Sequence, residues 1–378
     1  MFLTLLQSGG AGPAVLAGNS ARQDNASTSG AVQQTHLLLG ADAASANTST
    51  SGPVAQTHVL AGANAQQDNT STSGSVSGAV TLTGNSVRQD TTSASGAIEQ
   101  VHVLLGANAR QDTTSTSGAI THVHALLGAS ARQDNTSTSG AISQTHVLAG
   151  NNVRQDNTAT SGAISQTHVL AGNNVASTAT STTGAASQAH ALAGNSVAST
   201  GTSTTGAVTQ THVLVGASAR QDNTSTNGAL TAAVTLAGAN ARQDNTSTSA
   251  AATQTQTLAG QGAAQGTTAT AGAITQTHVL IAAAVAVDHI AASSAIVQVH
   301  LLQAGASRQA TTASAGRVFS FSLAGSPRIA SVIPDSNSAS VPPLSNSASV
   351  ALGTPASVPP RSNSASVALG THHVRVEV

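Results

Sequence analysis

Lysine, cysteine, tryptophan and tyrosine are all missing from this 378-residue chain, aromatics make up 1% of it and charged residues 7%. Each shortage excludes something. A globular enzyme of this length carries roughly a quarter charged residues. Without cysteine there is no disulfide framework. Without lysine there is no phosphate loop of the Gly-Lys-Ser/Thr kind. Glutamate occurs only as Glu99 and Glu377, and aspartate recurs singly, so no paired carboxylates are available for acid–base work. A net charge of −1, with no basic run and no aromatic platform, argues against a nucleic-acid partner. No apolar run approaches ~18 residues, so no membrane-spanning helix is expected. Neither an enzyme nor a cofactor is expected.

What the chain has instead is a period. His36, His58, His102, His124, His146, His168, His190, His212, His278 and His300 are separated by 22 residues or multiples of 22, and Val80, Val234 and Gln256 fill the gaps. Glycine keeps the same beat from Gly18 to Gly260, and a second glycine series runs from Gly30 to Gly228. About fourteen units thus occupy the stretch from near Ser8 to near Gly325, almost without insertion or deletion. Recent tandem duplication alone would give a fixed count. The units differ at many positions, however, and the count survives the differences. Stacked coils demand constancy, because an added residue breaks lateral register.

Two glycines and a Thr/Ser/Asn-rich run per unit disfavour helix. In residues 141–149 the even positions Ile142, Gln144, His146 and Leu148 form one face of a strand. In units lacking His that face becomes Val76, Gly78, Val80, Leu82 or Leu230, Ala232, Val234, Leu236, which predicts that it is the buried one. Gly150 with Asn151 and Asn152 marks a turn, Val153 to Thr160 a second, more polar extended segment, and Ser161-Gly162 the return. Two segments and two turns suit one coil of an all-β solenoid, a rod of roughly 65 Å at ~4.8 Å per coil. The competing geometry is an antiparallel meander with one hairpin per unit.

The ends differ from the middle. Residues 1–7 read as a cap over the first coil, and lack the charged start and length of a secretory signal. Residues 8–326 form the repeat region, with a closing strand over 317–323 that alternates strongly and holds Phe319 and Phe321. Seven of the nine prolines lie beyond Ser326, where a different 17-residue repeat begins, so 327–373 reads as a weakly ordered Pro/Ser-rich tail. Residues 374–378 alternate like a terminal strand able to pair with an edge or a partner chain.

Three columns carry candidate chemistry. Stacked coils would line the histidines up as a half-buried, mostly neutral column; no carboxylate or cysteine recurs beside them, so no metal site is assigned. Arg and Asp share a strand face as Arg22/Asp24, Arg88/Asp90, Arg110/Asp112, Arg132/Asp134, Arg154/Asp156, Arg220/Asp222 and Arg242/Asp244, either a polar recognition stripe or a solvated face. A Thr-x-Thr pair recurs in register at Thr114/Thr116, Thr136/Thr138, Thr158/Thr160, Thr180/Thr182, Thr202/Thr204 and Thr224/Thr226. On stacked strands this gives two rows of methyl and hydroxyl groups, an array similar to the ice-binding face of solenoid antifreeze proteins. Threonine is also a default polar strand former, and the flanking Asn and Ser-Gly suggest a turn-rich edge.

The pattern Leu-x-Gly-x-x-Ala/Val, a polar stretch and Gly-Ala-Ile/Val/Leu, as in Leu258-Ala259-Gly260-Gln261-Gly262-Ala263-Ala264, resembles the Ala/Gly/Ser/Thr-rich tandem repeats of phage and prophage structural proteins, tail-fibre-like ones included. The opening Leu3-Thr4-Leu5-Leu6-Gln7 resembles starts in that group, and the likeness spans roughly residues 1–325. It implies a non-enzymatic fibre or spacer in a virion or at an extracellular surface, with other virion or surface components as partners and room for a homo-oligomer. The alternative is an extracellular ice-binding or adhesive solenoid that uses the Thr-x-Thr array.

Overall fold

The computed structural model describes the backbone of residues 2–7, 14–248, 251–270, 273–291, 296–313, 318–319, 322–324, 328–334, 348–352, 365–369 and 372–376, with side chains for 15–248, 251–270, 273–288 and 290. The described residues contain strands and no helix. A typical unit supplies two eight-residue strands, Ile142–Ala149 and Asn152–Ala159. Each pairs in parallel with its counterpart 22 residues on, Ile142 with Ile164 and Asn152 with Asn174. Parallel ladders of this offset make a β-solenoid and exclude the antiparallel meander, in which consecutive strands would pair through hairpins. Strands like Ile142–Ala149 build one sheet, called here the leading sheet. Those like Asn152–Ala159 build the trailing sheet.

The solenoid has about twelve turns of about 22 residues, not the fourteen counted along the sequence. The difference lies at the ends, where Ala14–Ala17 supplies four residues and Val318–Phe319 two in place of a full strand. The chain divides into two units, Met1–Gly194 and Asn195–Val378. In the first, Phe2–Gln7 pairs in parallel with Ser20–Ser27 at the end of the trailing sheet. In the second, Ala252–Ala269, Ile274–Ala291 and Ile296–Ala313 each run as one 18-residue strand through the corner that earlier coils make at Gly-Asn or Gly-Ala. Ala282 there occupies the glycine position, aligned on Gly260. Also in this unit, Val318–Phe319 and Ser322–Ala324 pair in parallel with Ile296–Ala313, where one closing strand over 317–323 was expected. Ala348–Leu352 pairs with Ala365–Leu369 at the 17-residue offset, and His372–Val376 adds an antiparallel strand. Most of the stretch 327–373 lies outside the described residues.

Both corners need glycine because the coils approach closely there. A Cβ on Gly140 would meet the carbonyl oxygen of Gly118 at 1.9 Å, and one on Gly150 would meet that of Gly128 at 2.0 Å. The ladder continues through these corners: the Gly150 amide donates to Ala171 O at 3.0 Å and the Thr160 amide to Ser137 O at 3.0 Å. The return turn is fastened from within. Ser137 donates its hydroxyl to Gly140 O at 2.8 Å and accepts from the Gly140 amide at 3.0 Å. Ser139 ties the turn to the preceding coil by donating to Thr116 O at 2.9 Å. The interior is therefore narrow and banded. Ile98, Ile120, Ile142 and Ile164 stack at one corner with Ala159 and Ala179. Leu148 and Val153 are buried beside the other. Polar side chains fill the middle.

Candidate interaction surfaces

The even face of the leading strand is buried, as its alternation predicts: Ile142, Gln144, His146 and Leu148 all point inward. The described histidines of the column, His36 to His278, are fully buried, not half-buried; His58, His102, His146 and His168 are each 1% exposed, and His300 lies outside the described side chains. Two sheets enclose the column, so it has no solvent-facing side. His124 and His146 stack with ring centroids 4.9 Å apart and planes 5° from parallel, and His146 and His168 repeat this at 4.9 Å and 1°.

Facing the rings are glutamines of the trailing strand. The Gln133 amide nitrogen lies 3.0 Å from His124 Nδ1 and 2.9 Å from His146 Nε2. Gln155 repeats the bridge, 3.0 Å from His146 Nδ1 and 2.7 Å from His168 Nε2. A neutral imidazole offers one donor and one acceptor. Such a row is satisfied when successive rings take opposite tautomers and successive amides turn nitrogen and oxygen in alternation. Burial pushes the rings toward the neutral form: His58, His122 and His212 are lowered to about 3, and His102, His124 and His146 well below the usual histidine value, with neighbouring imidazoles adding to the effect at His58, His102, His124 and His146. His122 puts a second ring in one coil, at the place of Gln144, 4.5 Å from His124. Beyond the rings runs an asparagine row, in which Asn135 donates to Asn157 at 3.0 Å.

Gln144 lies on the face predicted to be buried, but the inward glutamines and asparagines of the trailing strands, Gln133 and Asn135 among them, carry no such expectation. Their signal was present: in Ala131-Arg132-Gln133-Asp134-Asn135-Thr136-Ser137 every second residue is uncharged. Those residues are the buried ones, and the outward set is Arg132, Asp134 and Thr136.

On that outer face each arginine pairs with the aspartate two residues along its own strand, Arg22 with Asp24 at 2.8 Å and Arg132 with Asp134 at 2.6 Å. Across strands like stacks on like, Arg88, Arg110, Arg132 and Arg154 in one column and Asp90, Asp112, Asp134 and Asp156 in the next. The hydrogen bond to the neighbouring aspartate raises Arg88, Arg132 and Arg220. Where Gln66 replaces arginine, burial raises Asp68 while the Gln66 hydrogen bond opposes it.

The threonines share this charged face. In the first unit Thr114, Thr136, Thr158 and Thr180 form an aligned strand row, and in the second Thr202 aligns with Thr224. Thr114, Thr136, Thr158 and Thr224 are exposed, Thr180 and Thr202 half-buried. The second members Thr116, Thr138, Thr160, Thr182, Thr204 and Thr226 lie just past the strand end, in the return turn. The array is thus one strand row and one turn row, with Arg and Asp columns beside it.

The leading sheet presents a different outer face. In the first unit its outward positions run Thr57, Val59; Val101, Val103, Leu105; Thr121, Val123, Ala125, Leu127; Thr145, Val147; Thr167, Val169. Val101, Val123, Val147 and Val169 are 47–52% exposed, and Glu99 is the one charged side chain on this unit's face among the described residues.

Among the described residues, no three His, Cys, Asp or Glu side chains gather as metal ligands would, and no helix is long and apolar enough to cross a membrane. Comparison with known proteins returned no matching family model, no matching curated protein and no matching solved structure.

Proposed function

We propose that this chain is a non-catalytic structural protein whose coils hold side chains at fixed spacing for repeated, individually weak contacts, as a virion-associated or surface element of the phage kind that its repeats resemble. The observation that carries this reading is the unbroken register of identical outward residues, such as Arg88, Arg110, Arg132 and Arg154 or Thr114, Thr136 and Thr158. A column of this sort multiplies weak contacts through effective concentration. The interior supports the reading too, since the described histidines lie buried between two sheets, with Gln133 and Gln155 bridging His124, His146 and His168. The test is mass spectrometry of particles purified after prophage induction in the source strain. Recovery of the chain in the particle fraction is expected, and its restriction to the particle-free supernatant would sink the virion assignment.

A second reading, ice binding or adhesion, draws on the exposed strand row Thr114, Thr136 and Thr158. Against it stand the Arg and Asp columns on the same face. An ice-recrystallisation assay separates the two: activity that disappears in Thr136→Tyr/Thr158→Tyr favours the second reading, and inactivity of the parent protein removes it.

A further inference from the structure

The outer face of the leading sheet is the part of the surface that neither reading above uses. Its outward residues in the first unit come from eight strands, Val32–Leu39, Val54–Ala61, Val76–Thr83, Ile98–Leu105, Ile120–Leu127, Ile142–Ala149, Ile164–Ala171 and Ala186–Ala193. They are almost all Thr, Ser, Val, Ala and Leu, without proline or glycine. The contrast with the trailing sheet is one of charge, since among the described residues every Arg–Asp pair lies there. Its exposed valines, Val101 beside Val123 in one column and Val147 beside Val169 in the next, lie on a face with almost no charge, and such a face marks an interaction surface.

We propose that this face is a self-association surface, on which two copies of the chain pack leading sheet against leading sheet across a two-fold axis. Size supports it. Eight strands at ~4.8 Å spacing, each ~26 Å long, give a face of about 1,000 Å². A standard-size interface needs about 800 Å² per partner. Pattern supports it as well. The outward columns repeat at the ladder spacing, so a partner that fills them along the whole face must carry the same repeat, and a second copy does. Small Val, Thr, Ala and Ser side chains, held in register from coil to coil, interdigitate between facing sheets ~10 Å apart without leaving a charge unpaired. Glu99, at the first outward position of its strand, lies toward the edge of the valine stripe and can remain wet. An isologous contact of this kind closes at two copies.

The experiment is sedimentation velocity on the full chain, with two substitutions that preserve the inward face. Wild type should run at twice the chain mass at about 100 µM, well above the Kd of a well-formed standard-size interface. Val123→Arg/Val147→Arg should run at the single-chain mass with an unchanged β-sheet circular dichroism spectrum. Thr136→Arg, on the trailing face, should remain dimeric. Because the chain contains no cysteine, Val147→Cys gives an independent arm that does not depend on introduced charge: air oxidation should yield a covalent dimer, and Thr136→Cys should not. A monomeric wild type overturns the proposal, whether or not that monomer inhibits ice growth or binds neutral lipid vesicles. So does a dimer that crosslinks through Thr136→Cys in preference to Val147→Cys, or one lost equally in Thr136→Arg. Particle association can fail while this dimer stands, and the reverse, so the two proposals are separable.

Discussion

The inner histidine column and the outer Arg–Asp columns meet the same difficulty and resolve it in opposite ways. Coil stacking places identical ionisable groups one ladder step apart, and like charges at that distance repel. Inside, the group gives up its charge. Imidazoles stack with centroids 4.7–4.9 Å apart, remain neutral through burial, and hydrogen-bond to glutamine amides. Outside, the group keeps its charge and finds the opposite one on its own strand, at Arg132–Asp134 as at Arg242–Asp244. Solvent access decides which solution holds. A stacked column of one residue type is thus either a structural element or a screened surface, according to the sheet face that it lies on.

Acid should break this comparison most strongly. A buried histidine whose folded pKa is depressed binds its proton in the unfolded chain first, so stability is complete above the unfolded value near 6.5 and is lost as pH falls from there toward the folded value. For His58 and His122 that lower limit is about 3. Each such histidine costs about 1.4 kcal/mol per pH unit inside this window. From pH 7.5 to pH 5, His58 and His122 together should remove about 4 kcal/mol from the first unit, and His102, His124 and His146, lowered by the same burial, act in the same direction. Urea denaturation followed by circular dichroism at the two pH values checks this. A midpoint that does not move would show that the rings are solvated. Asp134→Asn, on the outer face, should leave the acid shift unchanged.

Adjacent residues of one strand sharpen the contrast. Gln133→Leu keeps similar volume but leaves the ring nitrogens of His124 and His146 without the amide that bridges them. Two buried polar atoms lose a partner at about 1–3 kcal/mol each, so a loss of about 2–6 kcal/mol is expected in the same urea measurement. Next in size comes Ser137→Ala, which frees the Gly140 amide and carbonyl from the hydroxyl that fastens the return turn. It should cost about 1–2 kcal/mol. The outward neighbour change Thr136→Ala should stay within about 0.5 kcal/mol.

Much of this architecture was legible in the sequence, because stacking writes itself as a count. The 22-residue spacing of His124, His146 and His168 is the ladder offset, and the replacement of His58 by Val80 in the next coil marked the inward face. Gly140 and Gly150 marked the corners for a reason visible only in three dimensions, the approach of carbonyl oxygens from the coil before. Parallel and meandering arrangements share the same alternation, so register, not periodicity, had to separate them. The inward glutamines of the trailing strands, unlike Gln144, were not legible, because a buried polar residue looks like a surface one until its partner column is known. For the same reason the threonines drew attention as a surface array, while the uncharged face made by Thr145, Val147 and their neighbours passed as ordinary strand composition.

A similarly small effect is expected at Arg132, and the protein itself contains the precedent. In the coil with Gln66 in the arginine position, Gln66 donates to Asp68 Oδ2 at 2.9 Å, and the Asp68 carboxyl is raised by burial. Arg132→Gln recreates that arrangement between two coils that keep their own pairs. The Arg132 side chain is 46% exposed, so the pair is screened and its loss should cost between zero and about 1 kcal/mol. The carboxylate left behind has Asp112 and Asp156 as column neighbours and no longer has its own cation. Urea denaturation of this variant beside wild type measures that loss. A stability loss comparable to that of Gln133→Leu would mean that the outer column is held together as tightly as the inner one, and that solvent access is not what separates them.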